Sequence, residues 1–171
     1  MTSIVKASLE DAELLSVLAR TTFIESHGKS ATEEHIEAYV NLKYTHKALE
    51  VELQNLENIF YILYHDKKAI GYSKIILNVP DTNIPYMNVT KLERFYVLQE
   101  YHNLKLGWEL FNFNVKQSKA QQEVGMWLHT WTENQKAIHF YSKAGFKIIG
   151  HHDFKITETH YNPNYQMLLI Y

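Results

Sequence analysis

Between Lys91 and Gly107 the chain reads KLERFYVLQEYHNLKLG. Leu92 to Leu98 is an aromatic and branched run of β character, Gln99 to Asn103 is polar, and apolar residues take up helical spacing from about Leu104. A strand that passes through a tight loop into a helix start presents amides without internal partners at the positive end of the helix dipole, which suits an anion. Gly107 lets backbone approach such a ligand closely, and the Lys105 ammonium can pair with phosphate. An ordinary loop into a core helix, with Lys105 solvated, accounts for the same letters. Two further side chains could move protons. Glu93 is a carboxylate on the strand, either a proton acceptor or half of a salt bridge. Tyr141 follows Asn134 by two helical turns on the same face, either a phenolic proton donor or a half-buried aromatic beside Phe140.

These residues need elements to hold them. Ile4 to Ala7 reads as a first strand. Ser8 with Asp11 forms a capping-box pattern ahead of a helix over Leu9–Ser26, whose Leu15, Leu18, Ala19 and Phe23 share a face and which Gly28 stops. Thr32 opens a second helix to about Lys43, and His46 to Asn55 reads as a third. The period then changes. Ile59 to Tyr64 and Ala69 to Leu77 are strands around the polar turn His65–Lys68, a hairpin pattern. Pro80 to Thr90 reads as a loop. The helix after Gly107 runs to about Ala120, Val124 to Trp131 is a strand, and Asn134 caps a short helix that Gly145 ends. Phe146 to Ile149 and Tyr165 to Ile170 complete the sheet, with Asn162-Pro163-Asn164 in a polar loop between them. The pattern is mixed α/β in one domain, 1–171.

Composition removes several function classes. A net charge of -2 gives no support for nucleic-acid binding by general basicity. Apolar runs are strand-length, which argues against a membrane span. The N-terminal MTSIVKASLED carries no secretion signal, and with no cysteines the expected setting is cytoplasmic. The absence of cysteine also excludes thiolate metal sites and a covalent route through a cysteine nucleophile. The ten histidines form no H-E-x-x-H pattern, and adjacent His151 and His152 on a strand point to opposite faces, so no metal is expected. No G-x-S-x-G or phosphate-binding P-loop pattern occurs.

Asn134-Gln-Lys-Ala137-Ile-His-Phe140-Tyr141-Ser-Lys143-Ala-Gly145-Phe146, read with the element order, resembles the GNAT acyltransferase superfamily, which carries N-x-x-A-x-x-F-Y-x-K-x-G-F after its fifth strand. Leu92–Val97 and Trp127–Trp131 are most similar to the PaiA-type bacterial polyamine acetyltransferases, with looser echoes at Thr22-Phe23 and His152–Phe154. The resemblance implies a central, mostly antiparallel sheet flanked by helices, with fourth and fifth strands splayed apart. Acetyl-CoA would lie in that wedge, its pyrophosphate on a loop of the form Q/R-x-x-G-x-G/A. Here the loop reads His102-Asn103-Leu104-Lys105-Leu106-Gly107. Its last glycine is present, whereas His102 replaces Gln or Arg and Lys105 stands where the first glycine belongs.

The same resemblance implies roles. Backbone groups of Phe95, Tyr96 and Val97 would pair with the pantetheine arm like a neighbouring strand. Asn134 and Lys143 would contact the co-substrate, and Tyr141 would protonate the departing thiolate. Glu93 would take the amine's proton, directly or through water, and Glu25 would attract a cationic acceptor. The expected activity is acetyl transfer from acetyl-CoA to a primary amine, spermidine or spermine above all, by direct attack in a ternary complex. Another amine acceptor (a protein N-terminus, a lysine, a small-molecule amine) and a non-catalytic acyl-CoA-binding regulatory domain are the alternatives. Monomer and homodimer both fit.

Overall fold

The computed structural model describes all 171 residues. Seven strands form one sheet: β1 (Thr2–Lys6), β2 (Ile59–His65), β3 (Lys68–Ile76), β4 (Val89–Val97), β5 (Gly125–Trp131), β6 (Lys147–Thr157) and β7 (His160–Ile170), in the order β1-β2-β3-β4-β5-β7-β6. Every neighbouring pair is antiparallel except β4 and β5. Five helices flank it: α1 (Ala12–His27), α2 (Glu33–Lys43), α3 (His46–Gln54), α4 (Leu106–Ala120) and α5 (Gln135–Lys143).

Alternation along β2 shows why the sheet is covered on both faces. Phe60 and Ile62 pack with Leu15, Leu18, Phe23 and Leu49 of α1 and α3, while Tyr61 and Leu63 pack with Leu106, Leu110 and Phe111 of α4. The expected caps form: Thr32 accepts from the His35 amide at 3.3 Å, and Asn134 from Ala137 at 3.1 Å. The Ser8 amide reaches Asp11 at 2.7 Å, although that box opens a short 3-10 turn, Leu9–Asp11, ahead of α1. In the β2–β3 turn Asp66 and Lys67 both take positive φ, the geometry a tight hairpin requires.

Three expectations need correction. Val89 and Thr90 belong to β4, where Val89 is fully buried, rather than to the preceding loop. Gln99–Leu104 is a 3-10 helix, and α4 starts at Leu106 rather than near Leu104. The polar loop around Asn162-Pro163-Asn164 is instead the first half of β7, paired with an extended β6. Pro163 is tolerated because β5 pairs with β7 only from Asn164 onward, so its missing amide interrupts no ladder on that side. Its carbonyl accepts from the Thr132 amide at 3.0 Å.

Candidate active site

β4 and β5 pair over three positions only, Val89 with Gly125, Thr90 with Met126 and Lys91 with Trp127. Beyond them β4 stays bonded to β3 and β5 to β7, and the two strands part. The parting begins beside a β-bulge. Lys74 faces Arg94 and Ile75 faces Leu92, so Glu93 is an extra, unpaired residue of β4. From there to Val97 the strand has no partner on its β5 side. Gly71 lets β3 follow β4 through this stretch, since a Cβ there would stand 2.7 Å from the Tyr96 carbonyl oxygen. The wedge opens into a cleft of about 900 Å³.

Most of the residues singled out from the sequence line this one cleft: Glu25 from α1; Glu93, Phe95, Tyr96 and Val97 from β4; and His102, Asn103, Lys105 and Gly107 from the turn into α4. Asn134, Tyr141 and Lys143 join them from α5. Leu104 and Leu106 do not. The Leu104 side chain is half exposed, and Leu106 is buried in the core under α4, so only their backbone can serve a ligand.

At the start of α4, Lys105 adopts φ 60° and ψ 11°, the left-handed conformation that glycine holds without penalty. The lysine therefore keeps the turn that a glycine would make. Gly107 is open: a Cβ built there would have nothing nearer than Phe140 at 3.8 Å and Val97 at 4.0 Å, so the space above this first helical turn is free for a ligand. His102 works in an unforeseen way. Its Nε2 donates to the Val97 carbonyl at 2.7 Å, which leaves Nδ1 as the acceptor for the Lys136 ammonium at 3.3 Å. His102 thus ties the turn to the end of β4 and draws a cation from α5 toward the start of α4. Lys136 was missed because only this non-local contact gives it a place.

Tyr141 is buried on the inner face of α5, with its ring 5.5 Å from Phe146 and 6.3 Å from Phe95. Its hydroxyl has no hydrogen-bond partner in the protein. Burial pushes its pKa well above the ordinary phenol value, so the O–H is retained at neutral and mildly alkaline pH. Trp108 and Phe140, ring centroids 4.5 Å apart, form an apolar wall beside it.

Across the cleft Glu93 is ringed by cations, with Lys74 at 3.1 Å and Lys91 at 3.9 Å. Burial would raise its carboxyl, but Lys74, Lys91 and the Arg94 guanidinium outweigh this and hold it below the ordinary carboxylate range. Glu25 accepts from the Gln99 amide at 2.9 Å through one oxygen. Besides His102, four histidines line the cleft: His27, His129, His139 and His152. His27 is pushed down to about 4 by burial and meets the Tyr96 hydroxyl at 3.3 Å. His129 is pushed down to about 4 by burial, then by His152 and Lys91, and its ring lies flat on His152 at 4.1 Å. Strand alternation places His129 and Trp131 on one face of β5, a signal present in the sequence but open to an ordinary structural reading. No group of three or more His, Cys, Asp or Glu side chains is placed to hold a metal, and no helix is long and apolar enough to cross a membrane.

Comparison with known proteins agrees with this geometry. Residues 21–146 match the sequence profile of the acetyltransferase (GNAT) family. The chain is 28% identical over 147 residues to the spermidine N(1)-acetyltransferase of Thermoplasma acidophilum, covering 84% of this chain and 86% of that protein. It is 25% identical over 151 residues to an uncharacterised N-acetyltransferase of Lactobacillus delbrueckii subsp. lactis, covering 88% and 87%. Among solved structures, the PaiA N-acetyltransferase of Thermoplasma acidophilum in complex with coenzyme A superposes with a TM-score of 0.79 at 26% identity, covering 100% of this chain and 99% of that one.

Proposed function

The chain belongs to the acetyltransferase (GNAT) family and is an acetyl-CoA-dependent N-acetyltransferase, and from that premise we propose that its acceptor is a polyamine such as spermidine or spermine, attacked directly in a ternary complex. The observation that carries the mechanism is the wedge itself: an unpaired β4 edge, a free helix start and a buried phenol meet in one cleft. The residues present fit acetyl-CoA. The free amides at the start of α4, with Lys105, Lys136 and Lys143 nearby, suit its phosphates. The Phe95–Val97 backbone, with the Val97 carbonyl shared with His102, suits the amides of its arm, and Asn134 both caps α5 and faces the cleft.

In the transfer, bound acetyl-CoA supplies an acetyl thioester. The amine nitrogen bonds to the acetyl carbon as the carbon–sulfur bond breaks. Tyr141 gives its proton to the leaving sulfur and is later reprotonated from solvent. The amine's surplus proton passes to Glu93, directly or through water, and on to solvent. Glu25, whose second oxygen makes no hydrogen bond in the protein, and Asp153, which lines the same cleft from β6, draw the cationic remainder of the acceptor. The polyamine assignment rests on the motif resemblance and on the name of the Thermoplasma acidophilum relative.

A thiol-release assay over a panel of amines tests it. Spermidine and spermine are expected to turn over, ahead of monoamines. If they fail while a peptide N-terminus or lysine is acetylated, the acceptor class is wrong. That second reading has its own observation, since Lys43 and Lys155 line the cleft and would suit an acceptor bearing a carboxylate.

Lys105 separates strain from charge at the helix start. Lys105→Gly is expected to raise unfolding stability by up to about 1 kcal/mol, because the left-handed turn no longer carries a Cβ. Acetyl-CoA affinity is expected to fall several-fold through the lost ammonium. Urea unfolding and titration calorimetry read the two effects, and an unchanged or tighter affinity removes Lys105 from phosphate binding.

A further inference from the structure

Behind Glu93 runs a chain of charges alternating in sign. From the cleft inward, Lys91 stands 3.9 Å from one Glu93 oxygen and Lys74 3.1 Å from the other. Lys74 then reaches one oxygen of Glu52 on α3 at 2.7 Å, and Arg94 takes the second Glu52 oxygen at 2.8 Å. Lys74 is 5% exposed and lies over the Phe60 ring, while Arg94 lies over the Tyr44 ring. A lysine buried this deeply on a central strand needs compensation, and each carboxylate touching it is held by a second cation as well. Glu93 would otherwise be loosely placed, because a bulge residue has no partner in the ladder to fix its direction.

We propose that Lys74 and Glu52 are positioning residues for the acceptor end of the cleft: anchored from α3, they fix the place and the charge of the Glu93 carboxylate. This rests on the assignment of the amine's proton to Glu93. Neither residue lines the cleft: Lys74 acts through Glu93 and Glu52 through Lys74, while Glu52 also holds Arg94, which does line it. The groups facing Glu93 are Lys74 from β3, Lys91 and Arg94 from its own strand, Glu52 from α3 and Tyr44 beyond α2. Three of these are cations and favour the ionised form. Glu93 must be ionised to receive a proton, so activity falls as pH drops through its titration. Removing a cation moves that fall to higher pH.

The test is a carbon-13 carboxyl NMR titration of Glu93 alongside the pH profile of kcat/KM, in the wild type, Lys74→Met and Lys74→Arg. Lys74→Met is expected to raise the Glu93 titration by about one to three pH units and to carry the acidic limb of the profile with it. Acetyl-CoA affinity should not change, and Lys74→Arg should restore both readings. A Glu93 titration that stays put in folded Lys74→Met overturns the clamp. So does a wild-type Glu93 that titrates at or above about 4.3, the ordinary glutamate value, which needs no variant at all. A carboxyl that moves while the kinetic limb stays fixed leaves the clamp standing and removes Glu93 from the proton path.

Discussion

Tyr141→Phe is expected to lower kcat by about 10²–10⁴-fold while leaving acetyl-CoA affinity within about twofold, the span of one general-acid step. The substitution removes only the hydroxyl. The ring stays packed against Phe95, Phe140 and Phe146, and because the oxygen bonds to nothing in the protein, no partner is stranded in the core. Stability should therefore barely change, so lost turnover cannot be blamed on folding. The pH dependence adds a second check. Burial raises the Tyr141 pKa well above the ordinary phenol value, so the wild type should keep its donor proton across neutral and mildly alkaline conditions. An alkaline limb there must come from another group and should survive in the phenylalanine variant's residual activity. Turnover is read by thiol release and binding by calorimetry, and an unchanged kcat would strip Tyr141 of its role.

The largest effect on stability is expected from Glu52→Ala, at about 3–5 kcal/mol. Glu52 is the only carboxylate paired with Arg94, whose side chain is 10% exposed, and it also holds Lys74. Truncation leaves a buried guanidinium with no counter-charge and a buried ammonium with one partner instead of two. Lys74→Met is milder in this respect, because Glu52 keeps Arg94 and Glu93 keeps Lys91. An exposed pair gives the contrast: Glu158→Ala, which breaks the surface pairing with Lys155, should leave the unfolding midpoint nearly unchanged. Urea denaturation of the two alanine variants decides the matter. Equal midpoints would mean that the Glu52 pairings contribute no more than a surface contact.

What could be read from the residues alone was mostly local. The switch in period at Ile59, the cap at Asn134 and the stop at Gly145, which takes φ 101°, are signals carried within a few positions. The seven matched positions between Asn134 and Phe146 brought the cleft's α5 wall with them. Non-local pairing was out of reach. Nothing in Asn162-Pro163-Asn164 announces that β5 stops one residue short of the proline, so a strand passed for a loop. The bulge at Glu93 exists only in the register of β4 against β3. Lys74 stands out from the rest of β3 only because α3 brings Glu52 against it. His102 looked like a departure from the expected loop pattern, and it ties the turn before α4 to β4. Lys105 looked like a lost glycine, yet the backbone there keeps glycine's geometry with a lysine in it.

The parted strands β4 and β5 have a consequence outside catalysis. A sheet interrupted in its middle carries two inward-facing edges, with the same unpaired groups that make outer edges recruit stray strands. In the proposed binding mode the pantetheine arm answers the β4 edge. Occupancy then feeds back on the folding equilibrium: a hundredfold excess of ligand over its Kd deepens the native state by about 2.7 kcal/mol. Free coenzyme A carries the same arm as acetyl-CoA, so either would deepen the native state, and loss of both would leave the two inner edges open.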